Sequence, residues 1–349
     1  MKTGAGHALA VGFEGTRIPD DLVALAAQAG LGGIILFARN CPSLEAVLAL
    51  TAAARRLGPD VLVMVDHEGG LVHRLPPPFT RFPPPATVGR TGDPRLAAAV
   101  ARAMARELRA AGFDSGLAPV LDCLLNPAST VIGDRAFGAA PDAVAACGVA
   151  FVEAVLSEGC VPVAKHFPGH GRTSLDSHVA LPDVDATMDD LERGDLVPFR
   201  AALAAGCPAV MVAHVRYRAL DPALPASLSA EVIGGLLRRG LGFSGLVLSD
   251  DLEMAAVAST WGVGGAARRF LAAGGDLALI CRSAEARDEA VAAIGEDIDR
   301  GALDLAQAVR RRQTARRLTA GPRPDVSVIG CPEHRALGEE VARHSAARG

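Results

Sequence analysis

The sequence lacks the features that mark three common classes of protein. No apolar run approaches the roughly 20 residues needed to cross a bilayer, which argues against a membrane protein. No Gly-x-Gly-x-x-Gly or Walker motif follows an apolar run, which removes the usual phosphate-binding interpretations. The 35 basic and 39 acidic residues are interspersed and give a formal net charge of −4, so nothing predicts a nucleic-acid surface. The short basic cluster Arg310–Arg312 is interpreted as a solvated helix face.

Paired cysteines are also missing. The 7 cysteines are odd in number and none is arranged as Cys-x-x-Cys, which argues against a disulfide framework and against a zinc knuckle. Reduced thiols of a cytosolic protein fit this pattern better. The opening residues, MKTGAGHALAVGF, contain no long apolar stretch and no convincing cleavage site, so we expect no signal peptide. We therefore expect a soluble, cytoplasmic protein with no membrane or nucleic-acid partner, and we expect it to be a monomer.

Short apolar runs alternate with longer amphipathic, alanine-rich stretches along most of the chain. Each run is too short for a helix, and most are rich in Val, Ile and Leu, which is typical of parallel strands covered on both faces. The runs are His7–Phe13, Gly33–Phe37, Val61–Val65, Gly116–Leu121, Val161–Lys165, Ala209–Ala213, Leu246–Leu248 and Leu277–Ile280. Strands that alternate with helices in this number predict an α/β fold, specifically a (β/α)₈ TIM-type barrel over residues 1–318. A doubly wound open sheet is the alternative.

Helix signals lie between the runs. The helical spacing of apolar residues that begins at Leu22 stops at Gly30. Asp93–Pro94 is typical of an N-cap followed by proline at the first helical position, and Gly112 ends that helix. The sequence changes character after about residue 318, where GPRP precedes a short helical stretch. We predict that residues 319–349 form a C-terminal linker and helical tail beyond the barrel.

Charged or imidazole side chains follow five consecutive predicted strands. The active site of a barrel is built where its strands end, so these side chains are predicted to share one mouth. They are Asp66, His67, Glu68 and Arg74 after the third run, Asp122, Asp134 and Arg135 after the fourth, Lys165 and His166 at the fifth, His214 at the sixth, and Asp250 and Asp251 at the seventh. A solvated surface alone does not explain such repetition.

A carboxylate that a strand holds rigidly at the mouth can act as a nucleophile or stabilise a developing positive charge. Asp250 ends an apolar strand, so its position is predicted to be rigid, and it is a candidate for that carboxylate. The spacing fits another role equally well, in which Asp250 caps a helix over Asp251–Val257. Asp251 is the better candidate for the cap.

The segment VAKHFPGHGRTSLDSH is the most unusual in the chain. Its proline and glycines disfavour a helix, so His166 and His170 are not a helical metal-binding pair. We predict that Lys165 and His166 are hydrogen-bond donors at the strand end. Asp176 can orient the imidazole of His178 and hold its tautomer, as a carboxylate does for a catalytic histidine. Two alternatives are a zinc site formed by the three histidines of the segment (166, 170 and 178) and a plain solvated loop.

Several short segments resemble, in the same order along the chain, segments of a known protein family. They are VDHEGGLVHRL, APVLD, VIGDRAF, KHFPGHG, DSHVALP, MVAHVRY, PASLS and GLVLSDDLEM, which span residues 65–254. They closely resemble glycoside hydrolase family 3, specifically its bacterial β-N-acetylhexosaminidases of the cell-wall-recycling type. The resemblance implies a retaining enzyme with no metal and no organic cofactor. Its implied reaction is the release of terminal β-linked N-acetylglucosamine from peptidoglycan fragments (muropeptides).

The resemblance also implies roles for individual residues. Asp250 matches the nucleophile, His178 matches the general acid/base, and Asp176 matches the residue that pairs with it. The residues that match the sugar-binding set are Asp66, Arg74, Arg135, Lys165 and His166. The chemistry of these side chains agrees, because a histidine with an ordinary pKa of roughly 6.5 can first give and then take a proton.

The sequence departs from the family's usual residues at Leu71, His73, Gly240 and Glu253, which concern contacts beyond the first sugar rather than catalytic groups. The tail resembles the opening helix of a second domain found in longer members, and we expect that domain to be absent. Three other functions remain open: phosphorolysis of the same glycoside, a β-glucosidase, and a sugar-binding barrel without activity.

Overall fold

The fold is built around a curled parallel sheet surrounded by helices. The computed structural model describes residues 4–175, 177 and 179–346. The sheet contains seven strands in the order β3-β2-β1-β11-β10-β8-β6. These strands are β1 (Leu9–Val11), β2 (Gly33–Leu36), β3 (Leu62–Val65), β6 (Val163–Phe167), β8 (Ala209–Val212), β10 (Leu246–Asp251) and β11 (Leu277–Ile280). The first strand pairs with the last, an order that a doubly wound sheet does not have.

Two short ladders lie outside this sheet. Strands β4 (His67–Gly69) and β5 (Val72–His73) form an antiparallel hairpin, and β7 (Asp183–Val184) pairs in parallel with β9 (Arg216–Tyr217). The hairpin turns at Gly69 and Gly70, whose φ angles of 95° and 56° lie in the region that glycine adopts without strain. The turn therefore reverses the chain so that β5 pairs with β4.

Helices cover the outside of the sheet. They are α1 (Asp20–Ala29), α2 (Leu44–Arg55), α3 (Pro85–Gly89), α4 (Pro94–Ala110), α5 (Pro141–Ser157), α6 (Met188–Arg193), α7 (Leu196–Ala204), α8 (Ala255–Ala272), α9 (Ala284–Asp299), α10 (Ala306–Arg317) and α11 (Pro332–Ala346), with a π-helical segment at Glu231–Gly240. Within the described ranges, none of them is long and apolar enough to cross a membrane.

The predicted helix boundaries at two positions are confirmed. Helix α1 ends at Ala29 with Gly30 as its C-cap. Helix α4 begins at Pro94, and the Asp93 side chain accepts a hydrogen bond from the backbone N–H of Arg95. A carboxylate at this position satisfies one of the free donors of the first helical turn, which is why the aspartate–proline pair predicts a helix start.

The strands are apolar on both faces, as their sequences predict. One set of strand side chains, which includes Ile35, Met64, Met211 and Leu248, packs in the interior of the curled sheet. The alternate set packs against the helices in the larger cluster. Burial on both sides explains why the strands appear as continuous apolar runs rather than as alternating patterns.

The fourth predicted strand, Gly116–Leu121, does not form as a regular strand. Pro119 has no N–H to donate to a ladder, and Leu117 has a φ of 42°, so the segment is irregular. It still contacts both edges of the sheet through single bridges, Met64 with Ser115 and Val120 with Lys165. The backbone N–H of Asp114 donates to the carbonyl of Val63 at 2.7 Å, and that of Val163 donates to the carbonyl of Ala118 at 2.8 Å. The prediction is therefore confirmed for a curled parallel sheet with surrounding helices, formed by seven regular strands.

The C-terminal residues pack on the outside of the sheet. Helix α11 contacts α3 and α4, where the buried carboxylate of Glu107 accepts hydrogen bonds from the N–H of Gly330 at 3.0 Å and from His334 Nδ1 at 2.8 Å. The division of the chain at residue 318 remains a prediction. The interpretation of Arg310–Arg312 as a solvated face is wrong for Arg312. Its side chain is buried, and it donates to the carbonyls of His7 and Leu31 beneath the sheet.

Candidate active site

A cavity of about 150 Å³ lies where the parallel strands end. The predicted nucleophile and the whole predicted sugar-binding set contribute to its wall: Asp66, Arg74, Arg135, Lys165, His166 and Asp250. Asp66 directly follows β3, Lys165 and His166 belong to β6, and Asp250 belongs to β10. Because parallel strands all end at the same edge, residues almost 200 positions apart in sequence share one small cavity.

One side of the cavity is formed by a buried network of paired charges. The Lys165 ammonium lies 2.9 Å from Asp66 Oδ1 and 2.6 Å from Glu68 Oε1. Arg135 donates to both oxygens of Glu68, each at 2.8 Å. Burial alone would raise the pKa of Glu68, but the two cations hold that pKa well below its usual value. The carboxylate is therefore ionised and orients both cations.

The ammonium of Lys165 remains charged although the side chain is buried. Burial by itself lowers the pKa of a lysine, because it disfavours the charged form. The carboxylates of Asp66 and Glu68 outweigh this effect and raise the pKa of Lys165. The network thus holds a charged ammonium beside the cavity, where it can donate to an oxygen of a ligand.

Asp122 fixes the orientation of His166. Its carboxylate, fully buried, accepts from the backbone N–H of His166 at 3.2 Å and lies 2.7 Å from His166 Nδ1. Burial alone would raise the pKa of Asp122, but the adjacent His166 holds that pKa below its usual value. An ionised carboxylate can only accept, so Nδ1 of His166 donates to it. The other ring nitrogen, Nε2, then lies 3.4 Å from the guanidinium of Arg135, at the cavity.

The carboxylate of Asp250 lies in the opposite wall and is kept ionised by its surroundings. Burial favours a raised pKa, but interactions with His166, His214 and Lys165 and the N–H of Asp251 lower the pKa of Asp250 to about 2. The N–H of Asp251 donates to Asp250 Oδ1 at 2.8 Å. An ionised carboxylate that is only partly exposed in the cavity wall is suited to nucleophilic or electrostatic work.

The neighbouring Asp251 has the opposite electrostatic environment. Burial, followed by the like charges of Glu253 and Asp250, raises the pKa of Asp251 to about 7. Its Oδ1 accepts from the N–H groups of Glu253 at 3.1 Å and Cys281 at 3.3 Å. The prediction of a helix over Asp251–Val257 is wrong in its start. Strand β10 continues through Asp251, and α8 begins at Ala255 with Met254 as an N-cap that makes no side-chain bond.

Arg74 also lines the cavity, but its guanidinium is paired differently from the cations of Lys165 and Arg135. It follows β5, and its buried Nε has no hydrogen-bond partner among the described residues. A buried guanidinium N–H without an acceptor is costly, so this nitrogen is suited to an acceptor oxygen from a ligand.

Two of the predicted catalytic residues, Asp176 and His178, lie outside the described residues. Ser177, between them in sequence, is described and lines the cavity. Glu68 and Asp122 are among the polar residues predicted at the barrel mouth, but the sequence prediction gave neither of them a role in the site. The position of a polar residue after an apolar run selects both of them, but it does not show which partners each one contacts.

No metal site is evident among the described residues, which contain no cluster of three or more His, Cys, Asp or Glu side chains that could hold an ion. The zinc alternative includes His178, which is not described. A larger groove, of about 830 Å³, lies at the other end of the sheet and is lined by residues that precede strands, such as Pro208 and Gly245. That end of a barrel usually serves stability, whereas the strand ends carry chemistry.

The chain matches known proteins over most of its length. The profile of the glycosyl hydrolase family 3 N-terminal domain matches residues 7–319. A β-hexosaminidase of Alkalilimnicola ehrlichii is 44% identical over 285 residues, which cover 80% of this chain and 81% of the relative. A β-hexosaminidase of Thiobacillus denitrificans is 43% identical over 291 residues, which cover 81% and 80%.

Solved structures agree with these matches. A glycoside hydrolase family 3 β-N-acetylglucosaminidase from Paenibacillus sp. str. FPU-7 has a TM-score of 0.93 at 36% identity, covering 99% of this chain and 68% of that one. NagZ from Neisseria gonorrhoeae in complex with N-trifluoroacetyl-D-glucosamine has a TM-score of 0.81 at 32% identity, covering 97% and 98%. The fold, the site and these matches together define a glycoside hydrolase. More particularly, the chain belongs to glycosyl hydrolase family 3.

Proposed function

We propose that this enzyme is a retaining exo-β-N-acetylglucosaminidase that releases terminal β-linked N-acetylglucosamine from peptidoglycan fragments. The observation that carries the proposal is the cavity itself. It combines the ionised carboxylate of Asp250 with the cations of the predicted sugar-binding set. Two relatives at 44% and 43% identity are β-hexosaminidases, and a structural neighbour was solved in complex with N-trifluoroacetyl-D-glucosamine. We also propose that the segment 114–121 occupies the position of the fourth strand in a (β/α)₈ barrel.

The sugar would be held by the paired network. Asp66 accepts from sugar hydroxyl groups, while Lys165 and Arg135 donate to hydroxyl or carbonyl oxygens. His166, fixed by Asp122, offers Nε2 at the same wall. Arg74 would donate its Nε–H, which has no partner within the described part of the chain, to an oxygen of the sugar or of its N-acetyl group. The cavity, of about 150 Å³, is of a size for one sugar unit rather than several, which is consistent with the proposed release of a single sugar.

Cleavage would proceed in two steps. In the first, Asp250 attacks the anomeric carbon through an oxocarbenium-like transition state, and the leaving oxygen takes a proton from His178. In the second, His178, now neutral, takes a proton from water, which displaces Asp250 from the glycosyl-enzyme. Asp176 would hold His178 in the required tautomer. The roles of Asp176 and His178 are supported by the DSHVALP motif of the sequence.

An assay with aryl glycosides tests this proposal. The enzyme is expected to cleave an aryl β-N-acetylglucosaminide in preference to the corresponding glucoside, and Asp250→Asn is expected to abolish the reaction. Asp299→Asn, at the exposed end of α9, removes an aspartate charge far from the strand ends and serves as the control. Normal turnover by Asp250→Asn would exclude the assignment of the nucleophile, and a preference for the glucoside would favour a β-glucosidase.

Two further measurements complete the test. Product analysis with and without inorganic phosphate distinguishes hydrolysis from phosphorolysis, because only phosphorolysis forms a sugar 1-phosphate. Removal of His178 is expected to lower the rate by roughly 10²–10⁴-fold, the usual range for general acid/base catalysis. The cytoplasmic and monomeric state expected from the sequence belongs to the same proposal, and size-exclusion chromatography tests the oligomeric state.

A further inference from the structure

The chain that follows β6 is held tightly where it leaves the strand. The backbone N–H of His170 donates to Asp122 Oδ1 at 2.6 Å, and the hydroxyl of Tyr217 donates to the carbonyl of Gly169 at 2.7 Å. Gly171 passes so close to the chain of Cys123 that a Cβ would lie 1.7 Å from the Cys123 carbonyl oxygen. Residues 169–171 therefore have a fixed position relative to the strand ends.

The imidazole of His170 connects this fixed backbone to Ser177, which lies further along the same loop. The ring is buried, with Nδ1 at 2.8 Å from Thr173 Oγ1 and Nε2 at 3.1 Å from Ser177 Oγ. The Thr173 hydroxyl donates its only proton to the carbonyl of His170 at 2.9 Å, so it must accept from Nδ1. Burial lowers the pKa of His170, which favours the neutral ring. Its Nε2 is then an acceptor for the hydroxyl proton of Ser177.

Ser177 is held from a second side as well. Its side chain is buried, and its carbonyl accepts from the backbone N–H of Ala256 at 3.2 Å. Ala256 is the second residue of α8, the helix that follows the strand carrying Asp250. Ser177 thus connects the loop after β6 with the chain segment that follows the nucleophile. In sequence, it lies directly between Asp176 and His178.

We propose that His170 is a positioning residue, which fixes Ser177 so that the acid/base pair on either side of it is aligned with Asp250. This inference rests on the proposed function, because it assigns the alignment of a proton donor. It adds a role for two residues, His170 and Ser177, that the family resemblance leaves without one. The other contacts of His170 explain why its ring cannot rotate away: Thr173 holds the first ring nitrogen and Asp122 holds the backbone.

The test uses the dependence of the rate on the leaving group. An aryl N-acetylglucosaminide with a weakly acidic phenol requires a proton donor during bond cleavage, whereas a dinitrophenyl glycoside requires little help. Ser177→Ala removes the contact to Nε2 with the loss of one atom. It is expected to lower kcat/KM about 10-fold for the weakly acidic leaving group, the size of effect that a displaced catalytic group produces. The value for the dinitrophenyl glycoside is expected to stay within about 2-fold.

His170 itself supplies a matched pair of variants. In His170→Asn the amide replaces the Nδ1 side of the ring and does not reach Ser177, so this variant is expected to behave like Ser177→Ala. In His170→Gln the longer amide reaches the Nε2 position and can accept from Ser177, so most of the leaving-group profile is expected to return. Ser115→Ala, which removes a buried hydroxyl bonded to the carbonyl of Val161, controls for the loss of a buried hydrogen bond elsewhere.

The outcomes separate this inference from the proposed function. If Ser177→Ala lowers kcat/KM equally for both leaving groups, or lowers neither, the positioning role is wrong while the hydrolase activity stands. If wild-type enzyme cleaves neither glycoside, the proposed function itself has failed. Thermal unfolding of each variant is measured alongside, and a folded Ser177→Ala keeps the test decisive even where a His170 variant does not fold.

Discussion

Replacement of Asp251 by asparagine is expected to stabilise the protein at alkaline pH and to have much less effect at acidic pH. The change keeps the shape of the side chain, and the amide oxygen can still accept from the N–H groups of Glu253 and Cys281. It removes a partly buried charge that lies near the carboxylates of Glu253 and Asp250. The folded protein therefore no longer holds an unfavourable anion when the pH is high.

The magnitude follows from the raised pKa. In the folded protein the pKa of Asp251 is about 7, against an ordinary value of 3.8, so between these values the folded state binds more protons than the unfolded state. Stability from this group is therefore lost as the pH rises through that window. At about 1.36 kcal/mol per pKa unit, the loss approaches about 4 kcal/mol above pH 7, and about 2.6 kcal/mol of it falls between pH 5 and pH 8.

The assay is urea denaturation of wild type and Asp251→Asn at pH 5 and at pH 8. The advantage of the variant in free energy of unfolding is expected to be larger at pH 8 by about 2–3 kcal/mol. Asp299→Asn is the matched control, since it removes a charge that is exposed to water at the end of α9. An advantage of equal size at both pH values would refute the argument, because it would mean that the Asp251 carboxyl ionises alike in the folded and unfolded chains.

Three other substitutions test the remaining charge networks. Lys165→Met leaves the buried carboxylate of Glu68 with Arg135 as its remaining cation. We expect this change to lower the free energy of unfolding by about 3–5 kcal/mol. A loss below about 1 kcal/mol in urea denaturation would contradict the paired network. Asp122→Asn weakens the hold on His166 and is expected to raise KM for an aryl glycoside several-fold, and an unchanged KM and kcat would argue against that role. Glu107→Ala removes the acceptor for the N–H of Gly330 and is expected to expose α11 to limited proteolysis, with an unchanged cleavage pattern as the contrary result.

Much of the architecture could be predicted because local signals and burial agree. Strands buried on both faces appear as continuous apolar runs, and seven of the eight predicted strands form. The exception has a local cause in Pro119, which cannot donate to a ladder, although the segment still bridges both sheet edges. The pairings could not be predicted in the same way. Arg312 belongs to a basic cluster typical of a solvated face, yet tertiary packing buries it against backbone carbonyls that are about 300 residues away in sequence.

For the candidate site, too, the sequence predicted the positions of residues but not their pairings. Position after a strand selected Asp66, Lys165, His166 and Asp250, because the ends of parallel strands converge at one edge whatever their separation in sequence. Position after a strand also selected Glu68 and Asp122, but it did not predict the function of either residue. Their roles depend on which cations and donors lie within 3 Å, and those partners come from other strands.

By itself, the sequence determined the family of this protein, the run of strands and helices, and the set of polar residues from which a site could be built. Only the tertiary structure distinguished two adjacent aspartates of identical chemistry. Asp250 lies near His166, His214 and Lys165 and has a pKa of about 2, whereas Asp251 is partly buried near Glu253 and has a pKa of about 7. An electrostatic environment is the sum of charges brought together by the fold, so it cannot be read from two neighbouring letters of a sequence.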